Sequence, residues 1–312
     1  MDIENVKINW KPLLEIQKKQ FQDLYPDLDI ENTFASVESQ LSNNLIPSRI
    51  IINGNRVKGF AYLTGTDMSS GRTHGLLCFP EPSNFSEDTL DKLLSWLEQL
   101  ASRNSREIMI GNIAGIDVPD NLMKGKGYEI LRRRRLLLSE LEKFSGKPEK
   151  IENTRLVFAG IEELNYSKYV YAQLKAYEST SEARFLLPES HEQRIKMLRD
   201  IMDGSYGDLI YDASHLILNE GSIAGAILVC RGRPRLDGTR IPIIIDFFVI
   251  PEFRGLGYGE YLMRSSLSSL YEGGFKKVEL WVTEGNSAEK LYRKMGFSPS
   301  PNGDIAYLKS LR

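Results

Sequence analysis

Hydrophobic positions between residues 240 and 300 follow two different periods. Residues 241–250 are β-branched and aromatic with few polar breaks, which predicts a buried strand. From Tyr258 onward, Leu262, Leu267 and Leu270 recur at helical spacing, and residues 277–282 again have strand character. Strand, helix and strand form a βαβ unit, whose crossover is nearly always right-handed. The turn that begins the helix is therefore expected at the carboxyl end of its strand.

An internal repeat spans most of the chain. Similar positions recur at a nearly constant separation of about 170 residues, which is the sequence signature of a repeated fold. The paired positions are Gly59 with Gly225, Pro80 with Pro251, Leu97 with Leu267, Ile108 with Val278, and Gly127 with Gly296. The sequence therefore predicts two copies of one fold within the chain.

The repeat and the length of 312 residues predict two domains. We expect an N-terminal domain over residues 1–144, a polar linker with glycine and proline over 145–153, and a C-terminal domain over 154–312. Each copy is expected to hold an antiparallel meander, a βαβ crossover and a final hairpin. The predicted fold class is α/β (α+β), with a mixed, mostly antiparallel sheet flanked by helices in each domain.

Three glycines lie at the predicted strand-to-helix turn, at Gly255, Gly257 and Gly259. Free N–H groups and the helix dipole favour a phosphate group at such a place. A Walker A loop, G-x-x-x-x-G-K-S/T, occurs nowhere, and a dinucleotide fingerprint, G-x-G-x-x-G, is excluded because Glu260 or Leu262 stands at its third glycine. A turn that only reverses the chain remains the alternative to a phosphate cradle.

The segment from Arg254 to Gly259, R-x-x-G-x-G, resembles the acyl-CoA pyrophosphate loop of the GCN5-related N-acetyltransferase (GNAT) superfamily. A second segment lies in the same register as the later half of that family's pattern. Its matching residues are Asn286, Ala288, Leu291, Tyr292, Gly296 and Phe297. Two motifs in register make a chance match improbable.

The resemblance implies that acetyl-CoA is the co-substrate. It also implies that backbone groups of the central strand and of the glycine turn, with one asparagine side chain, bind this co-substrate. The implied binding residues are Phe247, Phe248, Val249, Arg254, Gly255, Leu256, Gly257, Tyr258, Gly259, Glu260 and Asn286.

The resemblance points to two candidate catalytic residues, Tyr292 and Asp246. Tyr292 lies where many family members carry the general acid that protonates the departing thiolate, although a packing role is the alternative. Asp246 is a carboxylate in the central strand, where burial without a partner is costly. The segment resembles that of spermidine/spermine acetyltransferases, whose proposed base lies one residue earlier, where this chain has Ile245. This departure argues against a polyamine acceptor. A role as base, as amine-orienting group, or as pocket wall stays open for Asp246.

The two copies differ at these positions. In place of Arg254 and its glycines, the first copy has residues 82–88, which lack glycine and contain carboxylates that would repel a pyrophosphate. In place of Tyr292 it has Met123. We therefore predict a degenerate N-terminal copy that completes the substrate pocket or stabilises the second domain, with a separate ligand site as the alternative. This arrangement resembles the tandem acetyltransferases of the mycothiol synthase type.

Composition limits the partners. A net charge of -2 argues against general nucleic-acid binding, and Arg132 to Arg135 would divide between the two faces of a strand. No apolar run approaches the roughly 18 residues of a membrane span, and we see no leader at the start of the chain. Cys78 and Cys230 lie in apolar runs, which favours free thiols and a cytoplasmic location. The three histidines lack metal-ligand spacing, so we expect no metal.

The sequence therefore predicts an acetyl-CoA-dependent N-acetyltransferase, a monomer or homodimer, that acts on a primary amine of a small molecule or peptide. The chemistry is expected in the C-terminal domain, with the acceptor near residues 178–194 and 298–306. Glu178, Glu182 and Glu189 would suit a cationic amine, whereas Arg184 would suit a carboxylate-bearing acceptor. A non-catalytic acyl-CoA-binding sensor or scaffold is the alternative, and a nucleotide-binding oxidoreductase is disfavoured by the glycine spacing.

Overall fold

A computed structural model describes residues 8–66, 71–146, 148–152, 154–158, 165–178, 180–188 and 190–311. The chain forms two compact units, the first made of residues 1–132 with 302–312 and the second of residues 133–301. The first unit thus includes residues from the C-terminal part of the sequence. The predicted limits 1–144 and 154–312 describe the repeat rather than compact units, and they stay a prediction.

The first unit is a sheet with helices on its faces. Strands β1 to β3 form an antiparallel meander, β3 and β4 are parallel, and residues 307–310 of β11 pair antiparallel with β4. Its elements are α1 (Trp10–Leu24), α2 (Glu31–Ser42), β1 (Ser48–Asn53), β2 (Arg56–Thr66), β3 (Thr73–Cys78), α3 (Glu87–Ala101), β4 (Glu107–Ile110), α4 (Asp120–Gly125), the start of β5 (Glu129–Leu138) and the end of β11 (Ser298–Ser310).

Helix α3 shows how the sequence pattern builds the first unit. Leu90, Leu93 and Leu97 recur at helical spacing and are fully buried, so they form the stripe that docks on the sheet. The helix begins after Ser86, whose hydroxyl accepts the N–H of Thr89 at 3.2 Å.

The second unit repeats the same plan. Strands β6 to β9 are antiparallel in chain order, β9 and β10 are parallel, and β10 pairs antiparallel with residues 133–138 of β5. Its remaining elements are β6 (Thr154–Phe158), α5 (Tyr166–Tyr177), α6 (Ser181–Leu186), α7 (His191–Met202), β7 (His215–Asn219), β8 (Ser222–Pro234), β9 (Arg240–Val249), α8 (Tyr258–Glu272), β10 (Val278–Thr283) and α9 (Glu289–Lys294).

Helices cover both faces of the second unit's sheet. On one face, α8 buries Leu262, Leu267 and Leu270 against strands β8 to β10. On the other face, α5 and α7 bury Tyr169 and Leu198 against strands β7 to β9. The predicted mixed, mostly antiparallel sheet flanked by helices is confirmed. Among the described residues, no helix is both long and apolar enough to cross a membrane.

The prediction of a final hairpin in each copy is wrong. Residues 129–138 form one strand, β5, and residues 298–310 form one strand of 13 residues, β11. The pair Asn302-Gly303 is a common turn signal, yet the backbone passes it in extended form. Pairing of Tyr307–Ser310 with β4 outweighs this local turn preference.

Candidate functional site

Strands β9 and β10 of the second unit separate partway along their length. They pair at only two positions, Ile243 with Glu279 and Ile244 with Leu280. In the described part of the chain no later pair joins them, although both strands continue. We call the resulting gap beside residues 247–249 the slot. It lies at the carboxyl end of β9, where the glycine turn was predicted.

A β-bulge lies where the slot begins. On the β8 side, Asp246 is paired with Leu228 and Ile244 with Val229, which leaves Ile245 as an extra residue. A bulge bends its strand and re-aims the following side chains, and bulges are common next to active sites. This bulge turns Asp246 toward α5 and coincides with the point at which β9 leaves β10.

Backbone groups of β9 face the slot at every second residue. The Ile250 N–H donates to the Ala224 carbonyl at 3.0 Å, on the β8 side, so the polar groups of Phe247 and Val249 point away from β8. The Phe247 carbonyl lies 3.1 Å from the Tyr177 hydroxyl, whose single proton is donated to Asp246. The N–H of Val249 remains directed into the slot.

Phe248, also predicted to bind the co-substrate, faces the other way. It pairs with Ala226 of β8, and its ring packs edge-on against Tyr169 of α5, with centroids 5.4 Å apart. The structure therefore brings Phe247 and Val249 to the edge of the slot and does not bring Phe248 there.

The glycine turn precedes α8 and leaves its N-terminus open. Gly255 and Gly257 have φ values of +76° and +86°, a region that suits glycine. Gly257 is the N-cap residue, with no side-chain cap. From Gly255 to Glu260, six consecutive N–H groups have no hydrogen-bond acceptor among the residues that the structure describes. Such a row of amides at a helix N-terminus is an anion-binding arrangement.

Gly259 has a different role in the same turn. It lies in the first turn of α8, where a Cβ would come within 3.4 Å of Leu291 and 3.5 Å of Phe247. Both distances are ordinary van der Waals contacts, so packing of α8 against β9 and α9 does not require glycine at this position. The neighbouring Leu256 is 60% exposed at the rim of the turn.

Two further predicted residues hold the helix rather than face the turn's opening. Tyr258 is buried, accepts a hydrogen bond from the Asn219 amide at 2.8 Å, and stacks on Phe253. Glu260 accepts hydrogen bonds from Lys294 and Arg264 at 2.5 and 3.0 Å, and these bonds lower the pKa of its carboxyl. The cations offset the Glu260 charge that would otherwise repel an anion at the turn.

Arg254 joins two elements at the slot. Its Nε donates to the Val249 carbonyl at 3.0 Å, and its Nη2 donates to the Ala176 carbonyl near the end of α5 at 2.6 Å. The side chain is exposed and its position is fixed by both bonds. The predicted arginine therefore lies beside the glycine turn and links β9 to α5.

Asp246 is buried and fully supplied with hydrogen bonds. Its Oδ2 accepts from the Tyr169 hydroxyl and the Gln173 amide, both at 2.7 Å, and its Oδ1 accepts from the Tyr177 hydroxyl at 2.9 Å. Burial raises the pKa of the Asp246 carboxyl, and the three hydrogen bonds oppose that rise. These donors were missed in the sequence, although their i, i+4, i+8 spacing places them on one face of α5.

Tyr292 projects from α9 beside the slot. It is 6% exposed, and its ring lies 5.9 Å from Phe247 and 6.0 Å from Phe297 between centroids. Burial, followed by the charges of Glu182 and Asp246, raises the pKa of the Tyr292 phenol. The phenol therefore keeps its proton at neutral pH, as a general acid must.

Asn286 lies in the turn between β10 and α9. Its Oδ1 accepts the N–H of Ala288 at 2.8 Å, which fixes the turn, and its Nδ2 donates to Oε1 of Glu182 at 2.7 Å. Glu182 belongs to α6, in the segment expected to receive the acceptor. The structure thus joins the predicted co-substrate residue Asn286 to the predicted acceptor region.

Comparisons with known proteins identify the family of this segment. The model of the acetyltransferase (GNAT) family matches residues 176–297. An uncharacterized N-acetyltransferase of Methanocaldococcus jannaschii is 32% identical over 69 residues, which is 22% of this chain and 30% of that protein. A [ribosomal protein bS18]-alanine N-acetyltransferase of Haemophilus influenzae is 32% identical over 69 residues, 19% of this chain and 47% of that protein. The chain thus spans less than half of the length of each of these curated relatives.

Two solved structures resemble the whole chain in fold. A GCN5-related N-acetyltransferase from Sphaerobacter thermophilus superposes with a TM-score of 0.65 at 15% identity, covering 100% of this chain and 96% of its own. A tandem GNAT protein from the clavulanic acid biosynthesis pathway gives a TM-score of 0.52 at 14% identity, with coverage of 100% and 98%. Residues 176–297 therefore match the acetyltransferase (GNAT) family, and the fold of the whole chain is similar to that of solved GNAT proteins.

Proposed function

We propose that the second unit transfers an acetyl group from acetyl-CoA to a primary amine. The observation that carries this proposal is the open turn from Gly255 to Glu260, with its six free N–H groups, next to the slot between β9 and β10. A Cβ at Gly255 would meet no atom within 4 Å, so the turn has room for a phosphate group. The names of both curated relatives, each an N-acetyltransferase, support the same activity.

The protein's own groups would hold the co-substrate at three places. Amides of residues 255–260 would bind the pyrophosphate, the N–H of Val249 would bind the extended arm, and the Asn286 amide would reach that arm from the other side of the slot. Acetyl-CoA supplies an activated acyl thioester. Fixing it along β9 places its reacting end beside Tyr292, which reduces the entropy cost of the transfer.

Tyr292 would protonate the leaving group. As the amine nitrogen bonds to the acyl carbon, the bond from that carbon to sulfur breaks, and the sulfur leaves as a thiolate. The Tyr292 hydroxyl, kept protonated by burial and by two nearby carboxylates, is the proton donor that the site offers.

Asp246 would act as a positioning residue. Both of its oxygens already accept hydrogen bonds from α5 side chains, so it has little capacity to take a proton from an amine. Its bonds instead hold α5 against the bulged part of β9. We therefore place the candidate catalytic Asp246 behind the slot, as a support for its wall.

The test combines calorimetry with acetyl-CoA and an assay of thiol release in the presence of primary amines. The intact protein should bind acetyl-CoA and release thiol with an amine. Tyr292→Phe should lower turnover about 100-fold, while acetyl-CoA affinity stays within about twofold. Tyr271→Phe, at a partly buried tyrosine near the end of α8, is the matched control and should change neither.

Two outcomes would contradict the proposal in different ways. Failure of the intact protein to bind acetyl-CoA would refute a CoA-dependent activity. Binding without thiol release for any amine would favour the sensor or scaffold. A large loss of acetyl-CoA affinity in Tyr292→Phe would reassign Tyr292 from proton transfer to co-substrate binding.

A further inference from the structure

A carboxylate on α6, Glu182, is hydrogen-bonded to Asn286 in the turn that precedes α9, the helix of Tyr292. We propose that Glu182 binds the ammonium group of the acceptor and takes its proton, and that the enzyme prefers cationic amines without a nearby carboxylate. This inference rests on the proposed acetyl transfer. It moves the proton-accepting role from the central strand to the helix that follows α5.

Asp246, the other carboxylate near Tyr292, is already committed within the protein. Three side chains of α5 donate to it at 2.7, 2.7 and 2.9 Å. An amine that displaced any of them would leave a buried donor without its acceptor, which is costly. The Asp246 carboxylate therefore fits a structural role better than direct contact with an acceptor.

Glu182 is held at one oxygen and open at the other. Helix α6 begins after Thr180, whose hydroxyl accepts the Ala183 N–H at 3.2 Å, so Glu182 is fixed in the first turn. Its Oε1 accepts from Asn286 at 2.7 Å, whereas its Oε2 has no hydrogen-bond partner among the described residues. The side chain is half-buried, which leaves it accessible to a small acceptor.

The proton donor and this carboxylate belong to one cluster. Glu182 is bonded to the turn that begins α9, the helix that carries Tyr292. After burial, its charge is the strongest influence raising the pKa of Tyr292, ahead of Asp246. A base and an acid close to one another at the end of the slot are what acyl transfer to an ammonium group requires.

The proton balance of the reaction closes with these two residues. Glu182 takes one proton from the ammonium group and later releases it to solvent. The neutral amine then forms the new C–N bond while the C–S bond breaks, and Tyr292 gives its proton to the thiolate. The nitrogen of the forming amide loses its extra proton, which restores the Tyr292 hydroxyl. The products are the amide, free thiol and one proton.

The charge of Glu182 also predicts acceptor specificity. The charge of Asp246 is offset by the buried Arg194, whereas Glu182 presents an open carboxylate oxygen beside Asn286. The site therefore favours a positive acceptor and disfavours a negative one. Three acceptors with the same four-carbon chain test this prediction: 1,4-diaminobutane, 1-aminobutane and 4-aminobutanoate. We expect kcat/KM to decrease in that order.

The experiment measures thiol release for these three acceptors with the full-length protein and variants at residue 182. Glu182→Gln should lower kcat/KM for 1,4-diaminobutane about 100-fold and remove most of the difference between the acceptors. Acetyl-CoA affinity, measured by calorimetry, should stay within about twofold. Glu182→Asp should preserve the order of the acceptors. Glu272→Gln, an exposed glutamate at the end of α8, is the matched control and should behave as the unmodified protein.

Three results would overturn the inference while acetyl-CoA still binds. They are equal rates in Glu182→Gln and the unmodified protein, a preference for 4-aminobutanoate, and no transfer to any of the three acceptors. Loss of acetyl-CoA binding in the unmodified protein is a separate result, which would remove the proposed function and this inference together.

Discussion

Each unit contains one pair of parallel strands, and only one of the two pairs opens. In the first unit, β3 and β4 pair at three positions, and the chain after β4 then continues the contact. The Phe79 N–H donates to the Ala114 carbonyl at 2.9 Å, and the Ala114 N–H donates to the Leu77 carbonyl at 3.0 Å. In the second unit, β9 and β10 separate after two pairs. The first unit thus closes, with its own backbone, the gap that the second leaves open.

The helix that connects the two strands of each pair also differs between the units, at its N-terminus. In α3 the Ser86 hydroxyl accepts the Thr89 N–H, and Glu87 and Asp88 supply negative charge in the first turn. In α8 the N-cap is Gly257, and no side chain caps the helix. The first unit meets the helix dipole with its own groups, whereas in the second no side-chain cap does so.

Under the proposed function, the comparison teaches how a binding site can be lost while its fold is kept. Buried backbone groups need partners, so a strand edge that binds no ligand pairs with protein groups or with water. At the position that the repeat matches with Tyr292, the first unit has Met123 of α4, which is fully buried and apolar. We therefore expect one acetyl-CoA for each chain, bound in the second unit.

Disrupting the closed strand pair of the first unit should have the largest effect. Gly115 has a φ of +94°, and a Cβ there would lie 1.8 Å from the Phe79 carbonyl oxygen. Gly115→Ala would push Ala114 away from β3 and cost about 4 kcal/mol of unfolding free energy, because two buried hydrogen bonds weaken and the backbone is strained. Urea unfolding and hydrogen exchange of β3 would measure this loss, and acetyl-CoA affinity should stay unchanged.

Gly54→Ala is the control for Gly115→Ala. Gly54 also has a positive φ, of +59°, but a Cβ there would meet nothing within 4 Å. Its substitution should cost only the backbone strain of about 1 kcal/mol. Equal losses in the two variants would show that the contact between Ala114 and β3 contributes little.

Closing the open turn of the second unit should have the next largest effect. Gly257→Val places a branched residue at a φ of +86° in the N-cap of α8, which would shift the amides of the turn. Acetyl-CoA should bind at least about 100-fold more weakly, or about 2.7 kcal/mol, by calorimetry. Gly221→Val, at a φ of +80° in open space within the same unit, should destabilise similarly without affecting binding. Retained affinity in Gly257→Val would remove the turn from the binding site.

Acid should loosen the second unit before the first. Burial lowers the pKa of His215, in β7, from 6.5 to about 4. The unfolded chain therefore takes up a proton near pH 6.5 and the folded chain only near pH 4, so stability is lost as the pH falls through that range. The expected loss is about 2 kcal/mol between pH 7 and pH 5.

Hydrogen exchange at several pH values would show the loss in β7 and β8 ahead of β2 and β3. His215→Gln should flatten the pH dependence, while His191→Gln, at a histidine bonded to Ser167 at 3.0 Å, should not. Equal acid sensitivity of the two units would mean that another group governs the transition.

The sequence was most informative where structure is set locally. Positive φ values at Gly255 and Gly257 suit glycine, and α8 begins at Tyr258, where helical spacing starts. Strand β9 covers residues 240–249 against a predicted 241–250. These features depend on residues close together in the chain, so a single sequence can predict them.

Features that depend on distant partners were not predicted. The extra residue Ile245 exists only relative to the register of β8, which no local pattern encodes. The hydrogen bond from Asn286 to Glu182 joins residues 104 positions apart. The partners of Asp246 lie on α5, and although their spacing was visible, nothing in it showed which strand they would face.

Strand β11 has a consequence for how the protein is made. Lys309 of this strand bonds to Glu98 of α3, 211 positions earlier in the chain, and residues 307–310 pair with β4. During synthesis, β4 leaves the ribosome long before its neighbour exists, and an unpaired strand edge invites wrong pairing until then. The first unit, whose synthesis begins earlier, therefore cannot complete its fold until residues 302–312 have been made.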